Sequence, residues 1–281
     1  MIGEQTWVVM KKNLSVTIDL EDYRKNRYSR DKPYQEQTEI ILNWLLKKKI
    51  KATFFVVGTF AEDNPYLIQK ISCDHNIAFH SFNHLSLEDE TIERFKEETK
   101  RSKEYIEDLI GKAIVGFRAP YFSLTRKAIW VTDALYELGF KYSSSTIPAD
   151  MPKFGFADIP EETFKWESGL IEFPMVLSNF LGRKIPSIGG VYLRYLPTKF
   201  IFKTLNHRGH RWTYFHPQDI YLKKSVHIDK DLNFLQNICY HFNRKKTLKK
   251  LDNLINDHKI TTLEQQLSKI RINQLPIWKN S

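Results

Sequence analysis

Residues 14–22, LSVTIDLED, begin as a short apolar stretch rich in β-formers and end in three carboxylates, those of Asp19, Glu21 and Asp22. The alternation of apolar and polar residues predicts a buried strand. Three acids within four residues repel one another and are costly to bury without a cation. We therefore predict a strand whose carboxyl end reaches a polar site, although a solvated acidic loop is the alternative.

The segments after this stretch alternate between helical and strand-like patterns. Residues 37–49 have helical spacing and end in lysines, the residues 52–58 (ATFFVVG) and 77–82 (IAFHSF) read as strands, and residues 65–71 between them read as a helix. Alternating strands and helices are typical of βα units around a parallel sheet. The pattern predicts an α/β fold.

Composition narrows the class of protein. The chain has 281 residues, 42% of them hydrophobic, a net charge of +10 and a pI near 9.3. A basic balance suits work beside an anionic polymer or membrane surface. The two cysteines, Cys73 and Cys239, form neither a CxxC pair nor a disulfide framework. Since the sequence also shows neither a secretory leader nor a membrane-spanning run, we expect a cytoplasmic protein.

Polar side chains follow four of the predicted strands, at Asp19, His80, Arg118 and His216. In sheets built from βα units, ligand sites lie at the carboxyl ends of the strands. His80 and His84 are four residues apart and could share one metal ion if the chain between them turns. Ordinary surface histidines are the alternative reading, and an acid from another strand strengthens the metal reading.

The remaining two positions have plausible chemical roles beside a metal. The guanidinium of Arg118 could hold a catalytic carboxylate in place, and His216, between an aromatic residue and Pro217, suits a histidine that donates a proton. Each residue taken alone is more often structural. A dense basic run at residues 244–250 lacks a recognised nucleic-acid reader motif, so nucleic acid is an unlikely partner.

Taken together, these motifs resemble the polysaccharide deacetylases, also called carbohydrate esterase family 4 or the NodB homology domain. The ordered motifs are TIDLED at 17–22, HSFNH at 80–84, RAPY at 118–121, KYSSS at 141–145 and YFHPQD at 214–219. The sequence IPSIGGVYLRYLP at 185–197 and the late TTLEQ are similar to the branch associated with exopolysaccharide gene clusters. The resemblance implies a single catalytic domain over residues 1–281, a distorted (β/α) barrel of about seven parallel strands. Its motifs span 14–222, and 223–281 form a basic helical extension packed on the barrel.

The resemblance also implies roles for individual residues. Asp19 would be the general base, tethered by Arg118, and His216 the general acid. His80 and His84 would bind a divalent metal, most simply zinc, with one acid of the Glu21/Asp22 pair. We favour Asp22, because a turn after the strand would swing it inward. The backbone N–H of Tyr121 would help to hold the oxyanion.

One position departs from the family pattern. Many members carry an acid after the tyrosine of the fourth motif, where this chain has Ser143. An acid there could support Arg118, so Asp150 or Glu172 could replace it from elsewhere, or the site could be partly degenerate.

The implied function is metal-dependent removal of an N-acetyl group from an amino sugar in a polysaccharide or a lipid-linked glycan. The alternatives are an amidohydrolase for a small non-sugar amide and a catalytically silent glycan-binding protein. Several aromatic residues could stack on sugar rings: Tyr121, Phe122, Tyr192, Tyr195 and Trp212. The basic C-terminal helix could contact anionic lipid, which would make the protein peripheral to the inner face of the membrane.

Overall fold

The structure is a computed structural model, and it describes residues 11–22, 33–151, 153–205, 209–221 and 242–279. Cys239 and the first ten residues, on which part of the expected location rests, lie outside the described residues. The strands are β1 Asn13–Leu20, β2 Thr53–Val56, β3 Asn76–Phe79, β4 Gly116–Phe117, β5 Tyr142–Ser143, β6 Phe164–Trp166, β7 Ile171–Glu172, β8 Ser178–Phe180, β9 Arg183–Ile185, β10 Trp212–Phe215, β11 Lys259–Ile260 and β12 Ile277–Trp278.

The described helices alternate with the early strands, as the βα pattern predicts. They are α1 Pro33–Lys48, α2 Gly58–Asp63, α3 Pro65–Asp74, α4 Ile92–Ile110, α5 Val131–Glu137, α6 Gly190–Tyr195, α7 Thr198–Leu205, α8 Thr247–Asp257 and α9 Leu263–Leu267. None of these helices is long and apolar enough to cross a membrane.

Seven parallel strands form the centre of the sheet, in the order β10-β1-β2-β3-β4-β5-β7. In register, Thr17 of β1 lies between Tyr214 of β10 and Thr53 of β2. The predicted α/β architecture and the number of parallel strands are confirmed. At one edge β6 joins β7 antiparallel and β12 follows β6, while β8 and β9 form a separate hairpin.

The pleat of the strands separates two hydrophobic clusters. In β2, Phe55 belongs to a cluster with Tyr142 and Trp212, whereas its neighbours Phe54 and Val56 pack in the larger cluster that includes α1 and α4 residues. Because successive strand residues point to opposite faces, the first cluster is the barrel interior and the second lies between the sheet and the helices. The interior is thus a packed core rather than a pore.

The amino ends of the strands are covered by α9. Leu263 N donates to Thr53 Oγ1, and the Gln266 side chain donates to Ser15 Oγ of β1. Thr262 caps the helix and Gln265 completes the capping box. The C-terminal region contributes β11 and β12 to the sheet as well as helices. Residues 242–279 thus supply strands of the sheet in addition to the helices expected there.

Candidate active site

The carboxyl ends of the parallel strands bring the predicted residues to one edge of the sheet. Asp19 is the penultimate residue of β1, while His80, Arg118 and His216 each directly follow a strand. The site is therefore assembled from four non-consecutive segments by the parallel topology alone.

Asp19 forms a buried ion pair with Arg118, whose Nη1 lies 2.6 Å from Asp19 Oδ1. The same nitrogen donates to Thr17 Oγ1, and the guanidinium also donates to the carbonyl and hydroxyl oxygens of Ser144. Burial lowers the pKa of Arg118, and the charge of Asp19 opposes that effect. A desolvated pair of this kind is tolerated because its hydrogen bonds are satisfied.

Aromatic rings fix the guanidinium from its faces. Arg118 Cζ lies 3.9 Å from the Phe55 ring centroid and 4.4 Å from that of Trp212. Cation–π contacts of this kind strengthen when they are desolvated. Arg118 is thus held in one orientation, and so is the Asp19 oxygen that it binds. No hydrogen bond to Asp19 Oδ2 is present among the described residues, so that oxygen can accept a proton.

The potential metal ligands are Glu21, His80 and His84, whose ligand atoms all lie within 4.8 Å of one another. Two imidazoles and a carboxylate suit a divalent ion such as zinc and leave a coordination position for water. His84 Nε2 lies 2.5 Å from Glu21 Oε2. Burial alone would raise the pKa of Glu21, but the charges of His84, His216 and His80, with the His84 hydrogen bond, lower it to about 2.

The tautomer of His80 is set by the backbone. His80 Nδ1 lies 2.7 Å from the carbonyl oxygen of Arg118, and since a carbonyl can only accept, Nδ1 carries the proton. Nε2 then has its lone pair available for a metal. Burial lowers the pKa of His80 to about 4, although Asp19 opposes the shift. A neutral imidazole is the ligating form.

The cluster contains Glu21 and not Asp22, the acid that the sequence analysis favoured. β1 ends at Leu20, and neither Glu21 nor Asp22 is assigned to a turn. The turn expected to swing Asp22 inward would continue into residues outside those that the structure describes. Glu21 lies two residues after Asp19, the spacing at which strand side chains share a face, and it is the acid that the structure brings beside the two histidines.

The loop with the two histidines is held in an unusual conformation. Ser81 and His84 adopt φ values of 62° and 60°, a region that non-glycine residues seldom occupy. The first amides of α2 hold the loop, because Gly58 N and Thr59 N donate to the carbonyls of Ser81 and Phe82 at 2.9 and 2.8 Å. A Cβ at Gly58 would lie 2.3 Å from Ser102 Oγ, so this close approach requires glycine.

His216 faces Glu21 across the site, with Nε2 3.4 Å from Glu21 Oε1. Its Nδ1 lies 3.3 Å from Asp219 Oδ2. Burial alone would lower the pKa of His216, but the Asp219 hydrogen bond and the charges of Glu21, Asp219 and Asp19 raise it to about 9. The protonated imidazole is thus favoured before any ion is bound, as a proton donor requires.

Aromatic side chains around the site divide into two groups. Tyr121 is 55% exposed, and its ring centroid lies 4.8 Å from that of His84. Tyr192 and Tyr195 are also exposed. Trp212 and Phe122 are buried and stack on each other in the core, so these two predicted sugar platforms are structural instead.

The departure at Ser143 leaves Arg118 fully supported. Ser144 provides both of the additional acceptors, while Ser143 Oγ donates to Ser145 Oγ. Neither suggested replacement acid is among the Arg118 partners: Glu172 accepts from the amides of Ser145 and Thr146, and Asp150 lacks a described contact with Arg118. Ser144, next to the departure, thus provides the acceptors that Arg118 has in this segment.

Three contributors were missed by sequence reasoning, namely Ser144, Arg194 and Asp219. Asp219 lies three residues after His216, a spacing that a 3₁₀ turn, here Pro217–Ile220, folds back onto the histidine. That signal was present in YFHPQD. Arg194, whose Nη2 lies 3.2 Å from Asp219 Oδ1, shows no local signal, because the contact joins separate segments.

Comparison with known proteins agrees with this geometry. Residues 14–142 match the family model described as polysaccharide deacetylase, and residues 144–268 match that of a domain of unknown function, DUF3473. Residues 14–142 thus match the family that the motifs predicted. The pairing of these two models is that of the exopolysaccharide-cluster-associated branch predicted from the motifs.

Individual relatives show more limited similarity. A chitooligosaccharide deacetylase of Azorhizobium caulinodans is 31% identical over 32% of this chain and 44% of its own length. A peptidoglycan-N-acetylglucosamine deacetylase of Bacillus cereus is 28% identical over 42% of this chain and 51% of its own length. The alignments thus span about half or less of these relatives.

A solved structure agrees over nearly the whole chain. A polysaccharide deacetylase candidate from Mycobacterium smegmatis superposes with a TM-score of 0.66, 18% identity, and coverage of 98% of this chain and 96% of the other. At this identity the similarity shows the fold, which confirms the distorted (β/α) barrel.

Proposed function

We propose that this protein is a metal-dependent hydrolase that removes N-acetyl groups from an amino sugar in a polysaccharide or lipid-linked glycan precursor. The observation that carries the proposal is the juxtaposition of the Glu21–His80–His84 cluster with the Asp19–Arg118 pair on one side and His216 on the other. A ligand set, a base and an acid therefore converge at one edge of the sheet, as hydrolysis of an amide requires.

The metal ion, most simply zinc, would be held by Glu21, His80 and His84, and would supply Lewis-acid polarisation of the acetyl carbonyl and activation of water. Cobalt, nickel or iron would suit the same ligands. Asp19 accepts the proton of the attacking water on Oδ2, because Arg118 holds Oδ1. The backbone N–H of Tyr121 stabilises the oxyanion. His216 then donates its proton to the departing sugar amine, releasing acetate.

The relatives support an N-acetylated glycan as substrate, since they are a chitooligosaccharide deacetylase and a peptidoglycan-N-acetylglucosamine deacetylase. The exposed ring of Tyr121 beside His84 gives a sugar ring a face to pack against. The pairing of the family models supports a role in exopolysaccharide biosynthesis. Of the other functions that the sequence left open, a small-amide amidohydrolase and a silent glycan-binding protein, neither is favoured by a specific contact in the site.

We also propose that the protein works in the cytoplasm beside the inner face of the membrane, through the basic segment 244–250. Three of its lysines, Lys245, Lys246 and Lys249, are exposed, whereas Lys250 donates to the carbonyl of Arg194. Anionic lipid attracts such clusters. Changing the three exposed lysines to Glu should weaken sedimentation with phosphatidylserine vesicles, and unchanged binding would contradict the proposed membrane contact.

The function is tested by metal analysis and acetate release with the same preparations. The purified chain should contain about one zinc-like ion and release acetate from N-acetylated chitooligosaccharides or peptidoglycan fragments. The His80→Ala/His84→Ala variant should lose both the ion and the activity. Glu137→Gln, which alters an exposed ion pair with Lys96, is the matched surface control. A metal-loaded chain that releases no acetate from this panel would favour the binding-protein alternative.

A further inference from the structure

Residues 144–268, which match the domain of unknown function, supply His216 and two buried charged residues behind it, Arg194 and Asp219. We propose that Arg194 and Asp219 are positioning residues that hold the His216 imidazole in the orientation and tautomer needed for proton donation. The inference rests on the proposed function and gives residues of the domain of unknown function a role in the proposed reaction.

Asp219 contacts His216 at two points. Its Oδ2 accepts the backbone N–H of His216 at 2.9 Å and lies 3.3 Å from the ring Nδ1. Because an ionised carboxylate can only accept, the proton shared at this contact belongs to Nδ1. The ring is then fixed with Nε2 directed towards Glu21 Oε1, at 3.4 Å. Asp219 thus selects which ring nitrogen faces the reaction space.

Arg194 occupies the other oxygen of the same carboxylate. Its Nη2 lies 3.2 Å from Asp219 Oδ1, and both side chains are almost fully buried. A buried carboxylate requires a counter-charge, and a cation on Oδ1 leaves Oδ2 to face the histidine. The series Arg194–Asp219–His216 therefore has one partner for each oxygen, which restricts rotation of the carboxylate.

The position of Arg194 follows from two features of α6. The helix begins against the ring of Tyr214, where a Cβ at Gly189 would lie 2.0 Å from a ring carbon, and residue 189 forms a parallel bridge with Tyr214. At the other end, Lys250 Nζ donates to the carbonyl oxygens of Arg194 and Leu196. Tyr214 is in β10, two residues before His216. The packing of α6 against Tyr214 therefore fixes the position of the helix relative to the histidine.

A purely structural role is the competing explanation, because loss of a buried ion pair also reduces stability. The two roles differ in what they predict for the histidine ring. A positioning role requires that the effect of Asp219 on turnover pass through His216. A structural role affects folding in the same way whether or not the imidazole is present.

The experiment combines kinetics with nitrogen NMR on the full chain loaded with zinc. Asp219→Asn should lower kcat for acetate release without a comparable change in KM or zinc content. The loss should not exceed that of His216→Ala, which removes general-acid catalysis worth roughly 10²–10⁴-fold. In the His216→Ala background, adding Asp219→Asn should cause little further loss. Asp219→Glu should restore part of kcat.

The NMR measurement reports directly which nitrogen of the His216 ring carries the proton. In the wild-type chain labelled with ¹⁵N-histidine, His216 should carry its proton on Nδ1 once the ring is neutral, and Arg194→Lys and Asp219→Asn should each shift that population towards Nε2. Glu137→Gln is the control for both arms. An unchanged tautomer in Asp219→Asn, or an equal fold-loss with and without the imidazole, would overturn the proposal. If the wild type releases no acetate, the proposed function fails, while the tautomer measurement still decides the positioning role.

Discussion

Two glutamates at opposite ends of the same barrel show how strongly position determines their chemistry. At the carboxyl ends of the strands, Glu21 has its pKa lowered to about 2 despite burial, because three histidines surround it. At the amino ends, burial raises the pKa of Glu264 to about 7, with Lys112 as a weaker opposing charge. Its hydrogen-bond donor there is the neutral amide of Asn76, at 2.6 Å.

The difference between the two glutamates distinguishes the carboxyl ends of the strands, where the candidate active site lies, from the amino ends, which α9 covers. At the carboxyl ends of the strands, charged side chains form ion pairs, as in Asp19–Arg118 and Asp219–Arg194. The amino ends are closed by α9, whose amide and hydroxyl contacts with β1 and β2 are joined by one carboxyl group, that of Glu264 beside Asn76. We therefore expect substitutions at the carboxyl ends of the strands to affect turnover, and substitutions at the amino ends to affect mainly stability.

The largest effect should come from Asp19→Asn. The variant removes the base and leaves the buried guanidinium of Arg118 without its counter-charge, so both activity and stability should fall. We expect at least a 10³-fold loss of kcat, within the range for acid–base catalysis, and about 3–5 kcal/mol less unfolding free energy. Acetate release and urea unfolding measure the two effects. Zinc content should be retained, and full activity would remove Asp19 from the mechanism.

Glu21→Gln should have a more selective effect, because it removes the carboxylate from the ligand cluster. We expect zinc affinity to fall by more than the roughly 10- to 100-fold that loss of an outer-shell partner costs, measured by competition with a chromophoric chelator. Asp22→Asn is the matched control, since Asp22 is adjacent and outside the cluster. A greater loss of zinc in Asp22→Asn than in Glu21→Gln would restore the assignment that the sequence first favoured.

Ser144→Ala should produce a smaller change at the same edge. The hydroxyl accepts a hydrogen bond from Arg118 Nη2 at 3.1 Å, while the carbonyl bond to Nε is unaffected. Loss of one acceptor on a charged donor should cost about 1.5–3 kcal/mol of stability and a modest fraction of kcat. Ser143→Ala, one residue away, is the control. If Ser143→Ala has the larger effect on kcat, Ser144 is not the support of Arg118.

Sequence reasoning recovered much of this arrangement, and its failures have physical causes. Asp19, His80, Arg118 and His216 could be placed together because parallel strands deliver their carboxyl ends to one edge. The choice between Glu21 and Asp22 depended on the path of the backbone just after β1, and the boundaries of elements are what a single sequence predicts least well.

The contributions of Arg194 and Glu264 could not be predicted at all. Arg194 meets Asp219 through the packing of α6 on β10, and Glu264 lies beside Asn76 because α9 closes the amino ends of the strands. Both contacts join residues far apart in sequence, and a single sequence carries no distance information about such pairs.

Glu264→Gln should have the smallest effect on turnover, and its effect on stability should depend on pH. Because burial raises the pKa of Glu264 to about 7 from 4.5, the folded state binds more protons than the unfolded state between these values. Its contribution to stability is therefore present at low pH and lost as the pH rises through about 7. The variant should match the wild type near pH 5 and melt at a higher temperature near pH 8.

The size of that shift should be roughly 2–4 °C for each kcal/mol recovered. The other charged or titratable groups that act on this pair are Lys112 and Tyr142, and both remain in the variant. Glu137→Gln, on an exposed helix face, should show no such pH-dependent gain. Equal melting temperatures for Glu264→Gln and wild type at both pH values would mean that Glu264 is ionised without penalty, and the contrast between the two ends of the barrel would then lie in their geometry rather than in their electrostatics.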